Sequence, residues 1–264
     1  MHGDERVGAD LIADLVQGHH PIWETDARHK SILFAIGNPR ALQENLRARP
    51  GGEDLNRMFG PNSVSGAEST SYETQRVDAL KSALSETDIL IDLHQTTCPS
   101  PPVAVIPPHR EHKTLAALLG IKIGVFGAED TYDSSMITDW FNERGGVGVT
   151  IETGKIGTPE ARECARAVLH NYLSETWSLT ANDHTIRLYQ IREAMRAPGD
   201  RLAWTRHLGN TSPVHAGETI ATTLEGSLVV LKDSATFLPQ NAPKKGETCV
   251  LLADDLGPQR CWEP

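Results

Sequence analysis

Two short runs constrain this chain most: Ile89-Leu90-Ile91-Asp92-Leu93-His94 and Val147-Gly148-Val149-Thr150-Ile151-Glu152. Each is almost continuously apolar, the pattern of a strand covered on both faces, and such strands belong to sheets flanked by helices. Each also ends on a residue that ligates metals or moves protons. Open α/β sheets gather their ligands at the carboxyl ends of their strands, so His94 and Glu152 are expected along one rim. The opening residues Met1-His2-Gly3-Asp4-Glu5 add a His-x-x-Glu, whose two side chains leave the same side of a helical or turn-like backbone. A mononuclear zinc hydrolase needs three protein ligands and one open position, which two His and one Glu can satisfy. On this reading His2, Glu5 and His94 ligate one Zn2+, and Glu152 is the general base. Asp92 either orients a ligating imidazole or points to the other face of the sheet.

The remaining pattern surrounds these runs with helices and further strands. Val7, Leu11 and Leu15 form a helical stripe that ends near Gly18. Ile32–Ile36 reads as a buried strand broken by Gly37-Asn38-Pro39, and residues 40–66 read as a long polar binding loop. Helices are expected over 69–85, 111–119 and 134–143, and from the Thr158-Pro159-Glu160 start to about Trp177. Strands are expected at Val103–Ile106 and near 121–126. From about residue 182 the texture changes to alternating, turn-punctuated segments, among them Thr219–Thr222, Leu228–Leu231 and Cys249–Leu252. The expected organisation is a catalytic α/β/α domain over 1–180 with a mostly parallel central sheet, followed by a small β-rich domain over 181–264.

Charge and composition exclude several functions. The formal net charge is −10 with no basic run, so nucleic acid is not an expected partner. No apolar stretch approaches the roughly 18–20 residues of a membrane span, and the N-terminus lacks the pattern of a signal peptide. The four cysteines are widely spaced, as expected of reduced thiols in a cytoplasmic protein. No Gly-x-Ser-x-Gly elbow is present, and Gly146-x-Gly148 precedes a strand instead of following one, unlike a dinucleotide loop. Recognition falls to the polar loop, where Arg49 shortly precedes Asp54-Leu55-Asn56-Arg57. Guanidinium forks bind carboxylates in bidentate fashion.

His2-Gly3-Asp4-Glu5, Gly37-Asn38-Pro39-Arg40-Ala41, Asp54-Leu55-Asn56-Arg57-Met58-Phe59, Asp92-Leu93-His94 and Glu152-Thr153-Gly154 together resemble the succinylglutamate desuccinylase/aspartoacylase family, a branch of the zinc carboxypeptidase-like hydrolases. The resemblance covers roughly residues 1–180, and the β-rich tail is similar to the family's C-terminal domain. It implies a zinc-dependent deacylase of N-acyl amino acids such as N-acetylaspartate or N-succinylglutamate. The family's zinc ligands fall on His2, Glu5 and His94, and its catalytic Glu on Glu152. Its substrate-binding Arg falls on Arg49, with Arg47 as the alternative register, and its Asn and Arg on Asn56 and Arg57. Arg49 would help polarise the scissile carbonyl.

The chain departs from the family at three points. The strand that precedes the His-Gly-x-Glu motif in the family is absent from residues 1–264, so either an upstream segment completes it or the start is mis-set. Where the family carries an Arg about ten residues before the catalytic Glu, this chain has Asn142, with Arg144 two residues later as the substitute contact. No C-terminal tyrosine can be matched to the one that binds substrate in aspartoacylases. A carboxypeptidase-like peptidase and an inactive metal-binding homologue are the competing readings. The expected partner is a small-molecule substrate, and a homodimer stays open.

Overall fold

The computed structural model describes residues 1–18, 31–60, 71–127, 136–174 and 185–261. The first part runs α1 (Val7–Val16), α2 (Pro39–Glu44), a 3₁₀ turn (Leu55–Arg57), α3 (Tyr72–Ala83), β1 (Ile89–Thr96), β2 (Val103–Val105), α4 (Arg110–Leu118), β3 (Ile123–Phe126), α5 (Ile137–Glu143), β4 (Val147–Lys155) and α6 (Pro159–Leu173). Seven strands follow: β5 (Thr185–Arg196), β6 (Ala203–Trp204), β7 (Ser212–Val214), β8 (Thr219–Thr222), β9 (Ser227–Val229), β10 (Ser234–Phe237) and β11 (Thr248–Arg260).

An eight-stranded sheet in the order β1-β4-β2-β3-β5-β11-β10-β7 forms the middle layer. The pairs β1/β4, β2/β3 and β3/β5 are parallel, β4/β2 is antiparallel, and the pairs beyond β5 are antiparallel. Helices cover the N-terminal part of the sheet on both sides. Ile91, Leu93, Val149 and Ile151 face α4 and α6, with Leu115, Leu119 and Val168 packed on them. Outside this layer α1 lays Val7, Leu11 and Leu15 against Ala165, Leu169 and Leu173 of α6. On the opposite face Leu90 meets α3 and α5 through Val77, Leu80 and Ile137. This is the expected three-layer α/β/α arrangement, with a sheet that is mostly parallel from β1 to β5 and antiparallel beyond.

Three features differ from the sequence reading. Residues 32–36 pair with no strand among the described residues, and Leu33 and Phe34 are 55% and 42% exposed. Apolar composition alone predicts burial there, but a strand also needs a neighbour for its backbone groups. Gly37-Asn38-Pro39 does not simply break the chain; it starts α2. The Asn38 side-chain oxygen accepts from the Ala41 amide at 3.1 Å, and Pro39 sits in the first helical turn, where its missing N–H costs nothing. Finally, the β-rich tail is continuous with the main sheet, because β5 pairs with β3 and β11 with β5. Among the described strands, β6, β8 and β9 alone form a separate, three-stranded sheet. The expected helix ends at 69–70, 134–135 and 175–177 lie outside the described residues, as does the 61–66 part of the polar loop.

Cys98, Cys249 and Cys261 are buried, Cys164 is half-buried, and all four are free thiols. No described helix is long and apolar enough to cross a membrane.

Candidate metal centre

The site is built where β1 and β4 lie side by side. Side chains alternate along a strand, so Asp92 and His94 share one face of β1 while Leu93 turns to the other. In the parallel register Asp92 lies opposite Thr150 and His94 opposite Glu152. All four therefore face the layer that holds α3, α5 and the polar loop. Immediately after this pair the register slips, with Thr96 opposite Lys155, and β4 takes an extra residue beside Gly154. Gly154 has φ of +129°, a conformation open to glycine alone in practice. The bulge ends the regular pairing just past His94 and Glu152.

The N-terminal turn delivers the other ligand candidates. Gly3 donates its amide to the Leu46 carbonyl at 3.0 Å. A Cβ at this position would lie 2.0 Å from the Ala41 carbonyl carbon, so the backbone of the turn rests directly on α2. The chain then enters α1, whose Val7 amide donates to the side-chain oxygen of Gln95 at 3.1 Å. The Gln95 amide in turn donates to Glu5 Oε2 at 3.1 Å. Turn and strand are thus tied together around the Glu5 carboxylate.

His2, Glu5 and His94 converge so that one ligand atom from each lies within 4.8 Å of the others. His2 Nδ1 is 2.7 Å from Glu5 Oε1, and His94 Nδ1 is 2.7 Å from Glu5 Oε2. The second nitrogen of each ring is held by an aspartate: His94 Nε2 by Asp92 Oδ2 at 2.9 Å, and His2 Nε2 by Asp54 Oδ1 at 3.2 Å. This donor set fits a divalent metal such as zinc. Each imidazole turns one nitrogen toward a shared centre and has its other nitrogen on a carboxylate, the arrangement that fixes the tautomer of a ligating histidine.

The electrostatics follow from that geometry. Burial works against the Glu5 carboxylate, but His2 and His94 outweigh it and hold its pKa well below the usual range. Burial likewise opposes a charged His94, yet Asp92 and Glu5 raise it to about 10. Glu152 behaves in the opposite way. Burial, with the nearby Glu5 charge, pushes its carboxyl up to about 7 against the pull of His94 and Arg47. Its Oε2 is buried and accepts no hydrogen bond from a described residue.

A cleft opens over these groups. His2, Glu5, His94 and Glu152 line it together with Arg47, Asn56 and Arg57. The 3₁₀ turn places the last two. Asp54 caps it by accepting from the Asn56 amide at 3.0 Å, and the same carboxylate holds His2. The Asn56 Oδ1 accepts from the Ile137 amide at 3.1 Å, which joins the turn to the start of α5.

Two of the arginines expected at the site are elsewhere. Arg49 does not line the cleft. Its guanidinium pairs with Glu73 of α3, Nη2 donating to Oε2 at 2.8 Å and Nε standing 2.6 Å from Oε1, and Glu73 is only 2% exposed. Arg47, two residues earlier, reaches the site instead, with Nη2 2.8 Å from Asp54 Oδ2 and Nη1 3.8 Å from Glu5 Oε1. Arg144 does not line the cleft either; it lies over the Trp140 ring, 5.1 Å from its centroid. Asn142, at the position expected to carry the family's Arg, binds the amide of Gly148 at 2.6 Å and His112 Nε2 at 3.1 Å. It fastens α5 to β4 and to α4.

Asp54 and Gln95 were missed as parts of the site. Asp54 lies in a motif read for its Asn and Arg alone, and Gln95 directly follows His94. Adjacency to the motif residues was the one available signal for both.

A family model described as succinylglutamate desuccinylase/aspartoacylase catalytic domain matches residues 1–173. No curated protein matches the chain. Among solved structures, succinylglutamate desuccinylase/aspartoacylase from Rhodobacter sphaeroides is 21% identical with a TM-score of 0.70, over 96% of this chain and 83% of that one. Murine aminoacylase 3 is 17% identical with a TM-score of 0.73, over 97% and 92%. The product-bound ectoine utilization protein of Ruegeria pomeroyi is 19% identical with a TM-score of 0.67, over 96% and 82%.

Proposed function

We propose, from the premise that the chain belongs to the succinylglutamate desuccinylase/aspartoacylase family, that it is a zinc-dependent amidohydrolase removing the acyl group from an N-acyl amino acid. One observation carries this reading. His2, Glu5 and His94 converge with an aspartate behind each imidazole, and the unpartnered Glu152 Oε2 faces the same cleft.

Zinc bound to these three residues would bring the pKa of a water down to about 7 and polarise a carbonyl. The protein's own groups do the rest. Asp92 and Asp54 keep the two imidazoles in the tautomer that leaves Nδ1 facing Glu5. Glu152 takes the proton of the attacking water as the water oxygen bonds to the carbonyl carbon. It then gives that proton to the amine nitrogen as the C–N bond breaks. A carboxyl with a pKa near 7 in its buried setting suits both transfers. Arg57 and Asn56 hold the substrate's carboxylate. Arg47 takes the part expected of Arg49, stabilising charge that develops on the carbonyl oxygen.

The test is metal analysis of the purified chain, paired with release of primary amine from a panel of N-acetyl and N-succinyl amino acids. One zinc per chain and amine release that follows zinc content would support the reading. A zinc-loaded protein that releases no amine from the whole panel would sink it.

A further inference from the structure

The cleft has two unlike ends. One holds the metal-ligand candidates, Glu152, Arg47 and Arg57; the other is floored by the sheet itself. Beyond β4 the floor passes through Val105 on β2, Val125 on β3, Ile191 on β5, Leu251 on β11 and Phe237 on β10. These side chains sit on successive hydrogen-bonded strands, and Val125, Leu251 and Phe237 are at most 2% exposed. Leu238 closes the wall. It has φ of +50°, a strained conformation for a leucine, and is held there by two bonds. The Leu238 amide donates to Asn210 Oδ1 at 2.8 Å, and its carbonyl accepts from Gln240 Nε2 at 3.1 Å. Asn210 is itself buried.

The charges are distributed unevenly. Among the described residues that line the cleft, Arg47 and Arg57 are the only Lys or Arg, and both belong to the metal end. Arg47 is already paired with Asp54. Arg49 and Arg144, the other cations expected to meet a carboxylate, are occupied by Glu73 and Trp140 away from the cleft. A second carboxylate laid on the apolar part of the floor would lose its water and meet no Lys or Arg among the described lining residues there, a large cost for a charged group. An aliphatic or aromatic group would gain from the same burial.

We infer that the substrate carries a single carboxylate and that its remaining group is uncharged and apolar, seated against Val105, Ile191 and Leu238, with Val125, Leu251 and Phe237 packed behind them. This rests on the deacylase reading above and narrows it, away from dicarboxylic substrates such as N-acetylaspartate and N-succinylglutamate. Leu238 is then a specificity-determining residue, pinned in place by Asn210.

The experiment compares kcat/KM of the zinc-loaded full chain for N-acetyl-leucine, N-acetyl-methionine and N-acetyl-phenylalanine with those for N-acetylaspartate and N-succinylglutamate. The apolar substrates are expected to be favoured by at least about tenfold, the usual worth of a few well-seated methylenes. Equal or better turnover of the dicarboxylates overturns the inference while leaving the deacylase reading intact. If nothing in the panel is hydrolysed, the deacylase reading fails, and calorimetric titration with the same compounds decides the inference separately. Tighter binding of the apolar compounds supports it, and equal or tighter binding of N-acetylaspartate overturns it. Leu238→Arg is expected to shift the kcat/KM ratio toward N-acetylaspartate, and an unchanged ratio overturns the placement of Leu238. Should that variant fold poorly, Leu238→Gln keeps the volume and is expected to lower kcat/KM for the apolar substrates alone; an equal fall for both classes overturns the same placement.

Discussion

His94 Nε2 and Asp92 Oδ2 stand 2.9 Å apart on one face of β1, two residues from each other in sequence. The contact is a consequence of strand periodicity, which returns every second side chain to the same face. It leaves His94 Nδ1 turned toward Glu5, 2.7 Å away. The orienting carboxylate and the imidazole that it orients are therefore specified by a single tripeptide.

Asp92→Ala is expected to weaken zinc binding by about 10–100-fold, the usual worth of a carboxylate behind a ligating histidine. Competition with a chromophoric chelator measures this directly. An affinity equal to that of the parent protein would remove Asp92 from the metal site.

Glu152→Gln is expected to keep zinc and lose about 10²–10⁴-fold in kcat, since the amide can neither take nor return the proton. Zinc content and single-turnover rate, read on the same preparation, check both halves. A near-parental rate would assign the proton transfers to another group.

The pH profile follows from the same side chain. A base works when deprotonated, so kcat/KM should rise with pH through the Glu152 pKa and level off above it. Burial and the Glu5 charge set that pKa at about 7 against the pull of His94 and Arg47, and a bound metal ion would favour the carboxylate further, so the acid limb belongs at or below about pH 7. A limb centred well above 7 would exclude Glu152 as its source.

Arg47→Ala and Arg49→Ala should part company. Loss of Arg47 removes a cation from the cleft and is expected to raise KM or lower kcat by about tenfold or more. Loss of Arg49 leaves the buried Glu73 without its partner, so the melting temperature should fall with KM nearly unchanged. Steady-state kinetics and thermal unfolding on both variants decide the matter; a kinetic defect confined to Arg49→Ala would restore it to the site.

Gly3→Ala is a stringent test of the N-terminal turn. With no room for a Cβ against Ala41, either α2 or the His2–Glu5 turn must move. Both zinc affinity and stability are expected to drop, the latter by about 1–3 kcal/mol as for other overpacked sites. Parental values for both would mean that the turn is not held against α2.

The parts of this site that were legible in the sequence are those fixed by local periodicity. His94 and Glu152 end apolar strands, and His2 and Glu5 are spaced for one side of a turn. Asp92 should have been equally plain, because residues two apart on a strand cannot face opposite ways. Arg47 and Arg49 could not be separated, since both precede the same motif by a few residues and the choice depends on where Glu73, 24 residues further on, sits in the fold. Asn38-Pro39 is a helix-start signal as much as a break in the apolar run, and the structure uses it as the former. The Ile32–Ile36 run is the opposite case: composition speaks to burial and says nothing about pairing, and no strand among the described residues pairs with it. The continuity of the sheet from β3 into β5 and β11 is a matter of long-range pairing, and alternation within each strand is the same whether it joins an old sheet or begins a new one.

That continuity has an evolutionary side. The residues assigned to the chemistry come from the chain before Lys155, whereas Ile191, Phe237, Leu238 and Leu251 come from the chain after Thr185. One sheet joins them, with β2 and β3 standing between β4 and β5. Substitutions in the second group can accumulate, or arrive together by recombination near residue 181, without passing through any side chain that holds the two histidines or Glu5. In such a lineage what is hydrolysed can drift while the means of hydrolysis is inherited unchanged.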